Sequence, residues 1–530
     1  MMSPTIVFWA LLAIAIFGVL ARVARTPYPI VMVLGGALVA LVPGLPPVRL
    51  PPDFVFLVML PPLLFAGGWT TDVRDFRRFL EPILLLAFGL VIFTTMTVAY
   101  FAHAFIGLPL ASAFVLGAIL SPPDAIATEA IGESVPFPLA IATILSGESL
   151  VNDATALVIY RFAVAAVVTG AFSFATAAWQ LVYVSIGGIA IGLAIAEVAG
   201  RIQIALRRRG LVDDVTATIV SLATPFLAYL PAEAAHASGV LAAVAAGMSL
   251  SGRSAELFDG EMRVTAGGAW GVAVFALNGI AFLAIGLQLP SLVAGLSAYR
   301  PATLATYGAI TCGIVIASRF VWIFGAVFIR RTLGRLKGFR EARLTWRGMV
   351  VMSWAGMRGI VTLAAALALP AATRDGTPFP GRDLILFLAF VTIVVTLVGQ
   401  GLTLPLIMRR LDVIDDENDG SDIARGRVGA AVAAREHLRE LEAGFESVEE
   451  WTIAGRLIAE LDQRIDHFGR DAGAPLAVAA AHERDLALRR ELCGVERAAL
   501  SKMRRSGEIT DRAYRDLTYE IDLAEARLGV

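Results

Sequence analysis

Residues 137–167 read FPLAIATILSGESLVNDATALVIYRFAVAAV, an apolar run with a polar stretch, GESLVND at 147–153, near its middle. A membrane span needs about 17–25 apolar residues, because a helix rising about 1.5 Å per residue must cross a hydrocarbon core of about 30 Å. The run is long enough to do so. The sequence therefore predicts a membrane helix that carries two carboxylates, Glu148 and Asp153, in its interior.

The rest of the chain has the composition of a membrane protein. Hydrophobic residues make up 57% of its 530 residues, and the mean hydropathy is +0.73. Soluble domains are about 45–50% apolar. We predict an all-α polytopic membrane protein with thirteen transmembrane helices, at 5–22, 28–45, 53–69, 80–106, 109–131, 137–167, 171–199, 215–232, 237–250, 265–288, 301–329, 347–371 and 383–408.

Basic residues separate sharply when the connecting loops are assigned alternately to two sides of the membrane. The side richer in Lys and Arg is the cytoplasmic one, which puts the N-terminus outside and the C-terminus in the cytoplasm. The outer side holds Arg49, Arg300, Arg374 and Arg382. The cytoplasmic side holds Arg22, Arg25, Arg74, Arg77, Arg78, Arg201, Arg207, Arg208, Arg209, Arg253, Arg263 and the basic cluster 330–347.

The composition changes at Leu411, where an acidic segment begins and after which no apolar run of spanning length follows. We predict a transmembrane domain at 1–410 and a cytoplasmic helical domain at 411–530. Regulation, assembly and solvation all remain open as its role. Its predicted helices are 430–443, 448–467, 475–505 and 508–528.

Five ionisable residues stand out in the interior of predicted spans: Asp124, Glu148, Asp153, Arg319 and Arg358. Each charge at mid-bilayer costs about 2.5–3.5 kcal/mol on the insertion scale, so such residues are candidates for function. Three acidic and two basic residues leave one negative charge in excess. That excess suits a site for a single cation or proton.

Four polar residues of the GESLVND stretch share one helix face, since Glu148 with Asn152 and Ser149 with Asp153 are four residues apart. Their oxygens suit a hard cation better than zinc or copper. Arg319 is the expected structural partner of Glu148, which leaves Asp153 as the free carboxylate. Ser149 and Asn152 also fit a second interpretation, as hydrogen bonds between helices.

Two predicted spans contain helix-breaking sequences. Ser121-Pro122-Pro123-Asp124 removes two backbone donors from the fifth span, and glycines flank Arg358 in the twelfth at Gly356 and Gly359. Spans an odd number apart cross the membrane in opposite directions, which is typical of inverted repeats with a site at the midplane. We expect Asp124 to face the amide ends of broken helices and Arg358 the carbonyl ends of its own helix.

Four motifs together resemble the monovalent cation:proton antiporter-1 family, the sodium/proton exchangers of bacterial type. They are LPPLLF at 60–65, SPPDA at 121–125, GESLVND at 147–153 and GMRG at 356–359. The resemblance covers roughly 5–410. It implies thirteen spans, crossed broken helices, a homodimer in the bacterial inner membrane, and alternating access by a moving core. It also implies that Asn152 and Asp153 lie at the ion site, and that one cation is exchanged for one proton without net charge movement.

Two positions depart from the family pattern. Many relatives have Thr where this chain has Pro123, so a threonine ligand must be replaced by backbone, water or Ser121. Relatives often have an acidic residue where Ala66 follows the LPPLLF motif. The preference among Na⁺, K⁺ and Li⁺ therefore stays open.

The function we expect is exchange of a monovalent cation for H⁺, with competition between the two at Asp153. Ser149, Asn152 and backbone oxygens near Pro123 and Asp124 would complete the cation shell. A cation channel and a membrane sensor with the tail as output are the alternatives. We expect membrane lipids as partners, and no enzymatic activity, cofactor or nucleic acid.

Overall fold

A computed structural model gives the fold and describes residues 4–42, 51–132, 135, 137–170, 174–258, 260–294, 296, 299–333, 345–413, 418–442, 444–445, 447–471, 476–506 and 508–527. Throughout these ranges the regular elements are helices, and the β-structure is limited to one isolated bridge between Ala372 and Pro378. The predicted all-α class is confirmed. The chain forms two compact units, Met1–Ile414 and Asp415–Val530.

In the described part of the first half of the membrane unit there are nine helices, and a left-handed glycine follows two of them. Gly107 (φ 81°) ends the fifth helix and Gly170 (φ 70°) ends the eighth, a backbone conformation that glycine adopts without strain. The helices are α1 (Pro4–Ala24), α2 (Tyr28–Ala40), α3 (Pro52–Thr70), α4 (Val73–Arg78), α5 (Leu80–Ile106), α6 (Leu110–Leu120), α7 (Ala125–Gly132), α8 (Leu139–Thr169) and α9 (Phe174–Arg208).

The second half of the membrane unit begins with helices whose starts are capped by side chains. Asp213 accepts a hydrogen bond from the Thr216 amide at 2.9 Å, and Ser238 accepts one from the Leu241 amide at 3.1 Å. The helices are α10 (Asp214–Ala234), α11 (Gly239–Ser251), α12 (Ser254–Leu257), α13 (Gly260–Leu287), α14 (Leu289–Ala294), α15 (Pro301–Leu333), α16 (Trp346–Trp354), α17 (Ile360–Leu367) and α18 (Arg382–Leu411).

Eight of the described helices are long and apolar enough to cross a membrane. The remaining predicted spans correspond to shorter apolar helices, which include α1, α2, α6 and α11, and to the pair α16 and α17. Both predicted interruptions are present, since α6 stops before Ser121 and α16 stops before Ala355. The total of thirteen spans stays a prediction. Most of the basic cluster lies at 334–344, and the predicted second span ends at 45; both lie outside the described residues.

The described residues of the unit Asp415–Val530 form four helices in two antiparallel pairs. Arg435 donates to Asp462 at 2.7 Å across the first pair, and Arg497 donates to Asp522 at 2.7 Å and to Glu525 at 2.5 Å across the second. The two carboxylates raise the pKa of the Arg497 guanidinium. The first helix begins at 418 rather than at the predicted 430, because acidic residues favour a helix N-terminus. The helices are α19 (Asn418–Glu442), α20 (Val448–Asp471), α21 (Leu476–Ser506) and α22 (Asp511–Arg527).

The membrane helices pack mainly within two groups. The first helix group consists of α1, α2, α3, α9, α10, α11 and α13, and the second of α5, α6, α7, α8, α15, α16, α17 and α18. Contacts between the groups run along a narrower seam, where α7, α8, α17 and α18 meet α2, α3, α9, α11 and α13. We call this boundary the seam.

Glycines let helices of the first group approach one another closely. A Cβ on Gly68 of α3 would lie 2.5 Å from the Val244 carbonyl oxygen, and a Cβ on Gly247 of α11 would overlap the Phe65 carbonyl. Small residues at such interfaces allow the backbone contact that drives helix association in lipid.

We predict that Gly247→Ala destabilises the membrane unit by about 1–3 kcal/mol, because the added methyl meets backbone that has no rotamer to escape into. The measurement is the thermal midpoint in detergent, followed by size-exclusion chromatography with fluorescence detection. Gly313→Ala in α15 is the matched control, since no heavy atom outside its own helix lies within 4 Å of the added Cβ. Equal midpoints for the two variants would contradict the prediction.

Candidate functional site

A bidentate ion pair joins α8 to α15 in the interior. Arg319 donates to the Glu148 carboxylate through Nη1 at 2.5 Å and Nη2 at 2.7 Å, and through Nε to the Met352 carbonyl at 2.9 Å. Arg319 and Glu148 are 1% and 0% exposed. The two charges cancel, and Met352 belongs to the last turn of α16, so the pair also satisfies a carbonyl near a helix end.

Asp124 follows the first interruption and binds the start of the second broken helix. Its amide donates to the Met357 carbonyl at 2.7 Å, and its Oδ2 accepts from the Ile360 amide at 3.2 Å. The Ile360 amide is the first of α17, so the carboxylate sits where the helix dipole favours negative charge. A Cβ on Gly359 would overlap the Asp124 carboxylate. Only glycine lets the two segments come this close.

Arg358, in the second interruption, binds the end of the first broken helix. Its Nε donates to the Leu120 carbonyl at 3.0 Å, and Leu120 is the last residue of α6. Its Nη1 donates to the Gly356 carbonyl of its own segment, and its amide donates to the Thr396 hydroxyl at 3.1 Å. We expected Arg358 to face carbonyls of its own broken helix. It binds one of those and also caps the other broken helix.

The carbonyl of Pro123 ties the first interruption to α8. It accepts from the Asn152 side-chain nitrogen at 3.1 Å and from the Ser149 hydroxyl at 3.4 Å. The Asn152 Oδ1 atom is buried and lacks a hydrogen-bond partner among the described residues. Ser149 and Asn152 therefore hold the interruption against α8, and each keeps oxygen lone pairs that a cation can use.

Asp153 lies one turn beyond Ser149 on the same face of α8. It is 8% exposed, and no group within the described ranges makes a hydrogen bond or ion pair with its carboxylate. Glu148 is neutralised by Arg319, and Asp124 is held by an amide. Asp153 is thus the carboxylate whose charge the described protein groups leave unmatched.

A cavity of about 1240 Å³ opens at the seam and reaches Asp124, Ser149 and Asp153. Aromatic side chains form part of its wall, and Ala66 contributes to the lining where an acidic residue would face the same space. At its outer part the cavity is lined by exposed arginines, Arg22, Arg25 and Arg263. The cavity therefore connects the surface at one end of these helices with the free carboxylate.

The structure also identifies site residues that the sequence did not single out. The Thr396 hydroxyl of α18 accepts a hydrogen bond from the Arg358 amide, and the Met352 carbonyl accepts one from the Arg319 side chain. Glu129 of α7 is exposed and lines the cavity. Glu129 lies near the end of the predicted span 109–131. A charge there reaches water and has a small insertion cost, so that cost does not mark the residue as functional.

Comparisons with known proteins agree on one family. The family model "Sodium/hydrogen exchanger, transmembrane" matches residues 9–410. An uncharacterised Na⁺/H⁺ exchanger of Mycobacterium tuberculosis is 32% identical over 99% of this chain and 96% of its own length. A sodium, potassium, lithium and rubidium/H⁺ antiporter of Bacillus pumilus is 36% identical over 73% of this chain and 58% of its own length.

A solved structure has the same fold. The sodium proton antiporter MjNhaP1 from Methanocaldococcus jannaschii superimposes with a TM-score of 0.58 and 17% identity, covering 78% of this chain and 98% of that chain. At this identity the likeness concerns the fold alone.

We predict that Arg319→Met lowers stability by about 3–5 kcal/mol, because it leaves the Glu148 carboxylate buried without a counter-charge. The double variant Glu148→Leu with Arg319→Met recovers part of the loss, since an apolar pair has no charge to desolvate. Thermal midpoints in detergent give both values.

Arg201→Met is the control for this cycle. Arg201 pairs with Glu197 on the surface, with its side chain 76% exposed, and such pairs contribute about 0–1 kcal/mol. If Arg319→Met and Arg201→Met had the same thermal midpoint, the buried pair would have no structural role.

Proposed function

We infer that this chain, which belongs to the sodium/hydrogen exchanger family, exchanges one monovalent cation for one proton at Asp153. Its family is the one that the four motifs predicted, and its members carry cations and protons rather than transform a substrate. The observation that carries the site assignment is the unmatched carboxylate of Asp153 at the inner end of the cavity.

The proposed mechanism is competition for one carboxylate. A proton or a cation neutralises Asp153, so the two cannot be bound there together. Ser149 and Asn152 supply neighbouring oxygens, and water in the cavity supplies others. The empty site is an uncompensated charge in a low-dielectric interior and resists movement across the membrane. One cation then moves for each proton, and the cycle is electroneutral.

Alternating access is proposed as movement of the second helix group against the first along the seam. The cavity reaches Asp153 from the end that carries Arg22, Arg25 and Arg263. On the far side of Asp153, Arg161 of α8 donates to Glu233 of α10 at 3.0 Å. This ion pair joins the two groups, so it must separate when the opposite side opens.

The orientation is proposed from the distribution of basic residues, with the N-terminus outside and the C-terminus in the cytoplasm. Contacts at both sides support this alternating assignment of the loops. Arg201 and Arg253, assigned to the same side, both bind Glu197. At the other side the Arg374 amide donates to the Val168 carbonyl. With this assignment the cavity opens to the cytoplasm of a bacterial cell. A homodimer and a regulatory role for 411–530 are part of the same proposal.

The cation is proposed to be Na⁺, with K⁺ and Li⁺ as further substrates. Pro123 contributes a carbonyl rather than a threonine hydroxyl, and Ala66 contributes no charge. A relative named for sodium, potassium, lithium and rubidium supports testing all three ions.

We predict that Asp153→Asn abolishes exchange while preserving the fold, because the amide can neither take up a proton nor hold a cation by charge. Everted vesicles with an imposed pH gradient are given Na⁺, K⁺ or Li⁺ across a pH series. Wild-type protein dissipates the gradient, and Asp153→Asn does not. Asp383→Asn, an exposed carboxylate at the start of α18, is the control.

Retained exchange by Asp153→Asn at wild-type expression would overturn the site assignment. Cation flux without proton counterflow in the wild type would favour a channel. Loss of exchange on removal of 415–530 would instead indicate that the tail takes part in transport.

We predict that Arg161→Gln shifts the chain toward the state that opens on the side of Arg161. Exposed ion pairs contribute about 0.2–1 kcal/mol, so the shift is at most about five-fold. The probe is Ala66→Cys in a chain whose Cys312 and Cys493 are replaced by serine. Its rate of labelling by a membrane-impermeant maleimide reports how accessible the cavity is. Labelling should slow in the Arg161→Gln background.

Glu197→Gln is the matched control, because the pair of Glu197 with Arg253 lies within the first helix group. Loss of the pair of Glu197 with Arg253 should leave the labelling rate at Ala66→Cys unchanged. Equal labelling rates in Arg161→Gln and wild-type backgrounds would show that this pair does not distinguish the two states.

A further inference from the structure

The cavity contains one carboxylate that the exchange mechanism above does not use. Among its described lining residues the acids are Asp124, Glu129 and Asp153. Asp124 binds the start of α17, and Asp153 is the exchange site. Glu129 differs from both, because its side chain is exposed while those of the other two are wholly or largely buried.

A hydrogen bond fixes Glu129 relative to Asp153. The Ser146 hydroxyl donates to Glu129 Oε1 at 3.2 Å. Ser146 precedes Asp153 by seven residues on α8, which is about two helical turns, or about 10 Å along the axis. Both residues therefore lie on the same helix face, and Ser149 lies on that face between them.

Oxygen groups thus follow one face of α8 from the exposed part of the cavity to its inner end. Glu129, which accepts a hydrogen bond from Ser146, comes first, Ser149 second and Asp153 last; Glu129, Ser149 and Asp153 line the cavity. A hard monovalent cation that loses water in steps finds an oxygen ligand at each stage. The same face offers a proton a carboxylate, hydroxyls and then a second carboxylate.

The charges at the outer part of the cavity make such a ligand necessary. Arg22, Arg25 and Arg263 line it, and their positive charge opposes entry of a cation. Arg263 is held in place by its donation to the Phe258 carbonyl at 2.6 Å. Glu129 supplies negative charge to the same cavity, beside Ser146 of α8.

We propose that Glu129 is the entry ligand of the cavity, which receives the cation from solvent and delivers it past Ser149 to Asp153. This role rests on the proposed exchange function. It makes Glu129 a determinant of apparent cation affinity on the side where the cavity opens, and not of the maximal rate.

The test is Glu129→Gln in everted vesicles, with initial rates measured over a range of Na⁺ concentrations. A charge about 10 Å from the site in a partly hydrated cavity changes cation affinity by about three- to ten-fold. The half-saturating Na⁺ concentration should rise by that factor, while the rate at saturating Na⁺ stays near wild type. Glu129→Asp should restore most of the affinity.

Ser146→Ala should also raise the half-saturating Na⁺ concentration, but by less, because the Glu129 carboxylate remains and loses only the hydrogen bond from Ser146. Raising ionic strength with choline chloride should narrow the gap between Glu129→Gln and wild type, as screening of the charge predicts. Glu81→Gln, an exposed carboxylate outside this cavity, is the control and should leave the affinity unchanged.

Two outcomes would overturn the proposal. One is wild-type affinity in Glu129→Gln; the other is a lowered maximal rate with unchanged affinity that Glu129→Asp does not restore, which indicates a structural role. In both cases the wild type still exchanges and Asp153→Asn does not. Absence of exchange in the wild type would contradict the proposed function itself.

Discussion

The membrane unit depends on how two interrupted helices satisfy the backbone groups that their interruptions expose. A helix end leaves up to four amides or four carbonyls without partners, and in lipid each such group costs several kcal/mol. Asp124, after the first interruption, accepts the amide that starts α17, while Arg358, within the second, donates to the carbonyl that ends α6. Each broken helix thus supplies the charged cap of the other.

This exchange of caps has two consequences for the site. It fixes the two segments against each other at backbone distance, which is why Gly359 has no room for a side chain. It also places opposite charges on the two segments, so they add no net charge to the interior. With Glu148 neutralised by Arg319, the remaining negative charge belongs to Asp153. An unmatched charge in that position is costly, and this cost is the physical basis of the exchange proposed at Asp153.

The arrangement of helices leaves a route to that carboxylate. Asp153 lies on α8, which forms part of the seam between the two helix groups, and the cavity follows the same seam. Close glycine contacts such as those at Gly68 and Gly247 hold the first group together. Contacts across the seam are sparser and include an exposed ion pair at Arg161. Relative movement of the groups therefore disrupts few strong interactions.

The sequence by itself determined the membrane location, the order of the apolar segments, the two interruptions and the clustering of polar residues on one face of 147–153. These follow from local properties: the cost of charge in lipid, the helical period and the backbone limits of proline. Only the tertiary structure decided which distant groups meet. It added Met352 to the expected pair of Arg319 and Glu148, gave Arg358 the end of α6, turned Ser149 and Asn152 to the Pro123 carbonyl, and placed Glu129 beside Ser146. Those contacts join residues remote in the chain, and the packing of helices, which no local pattern encodes, selects them.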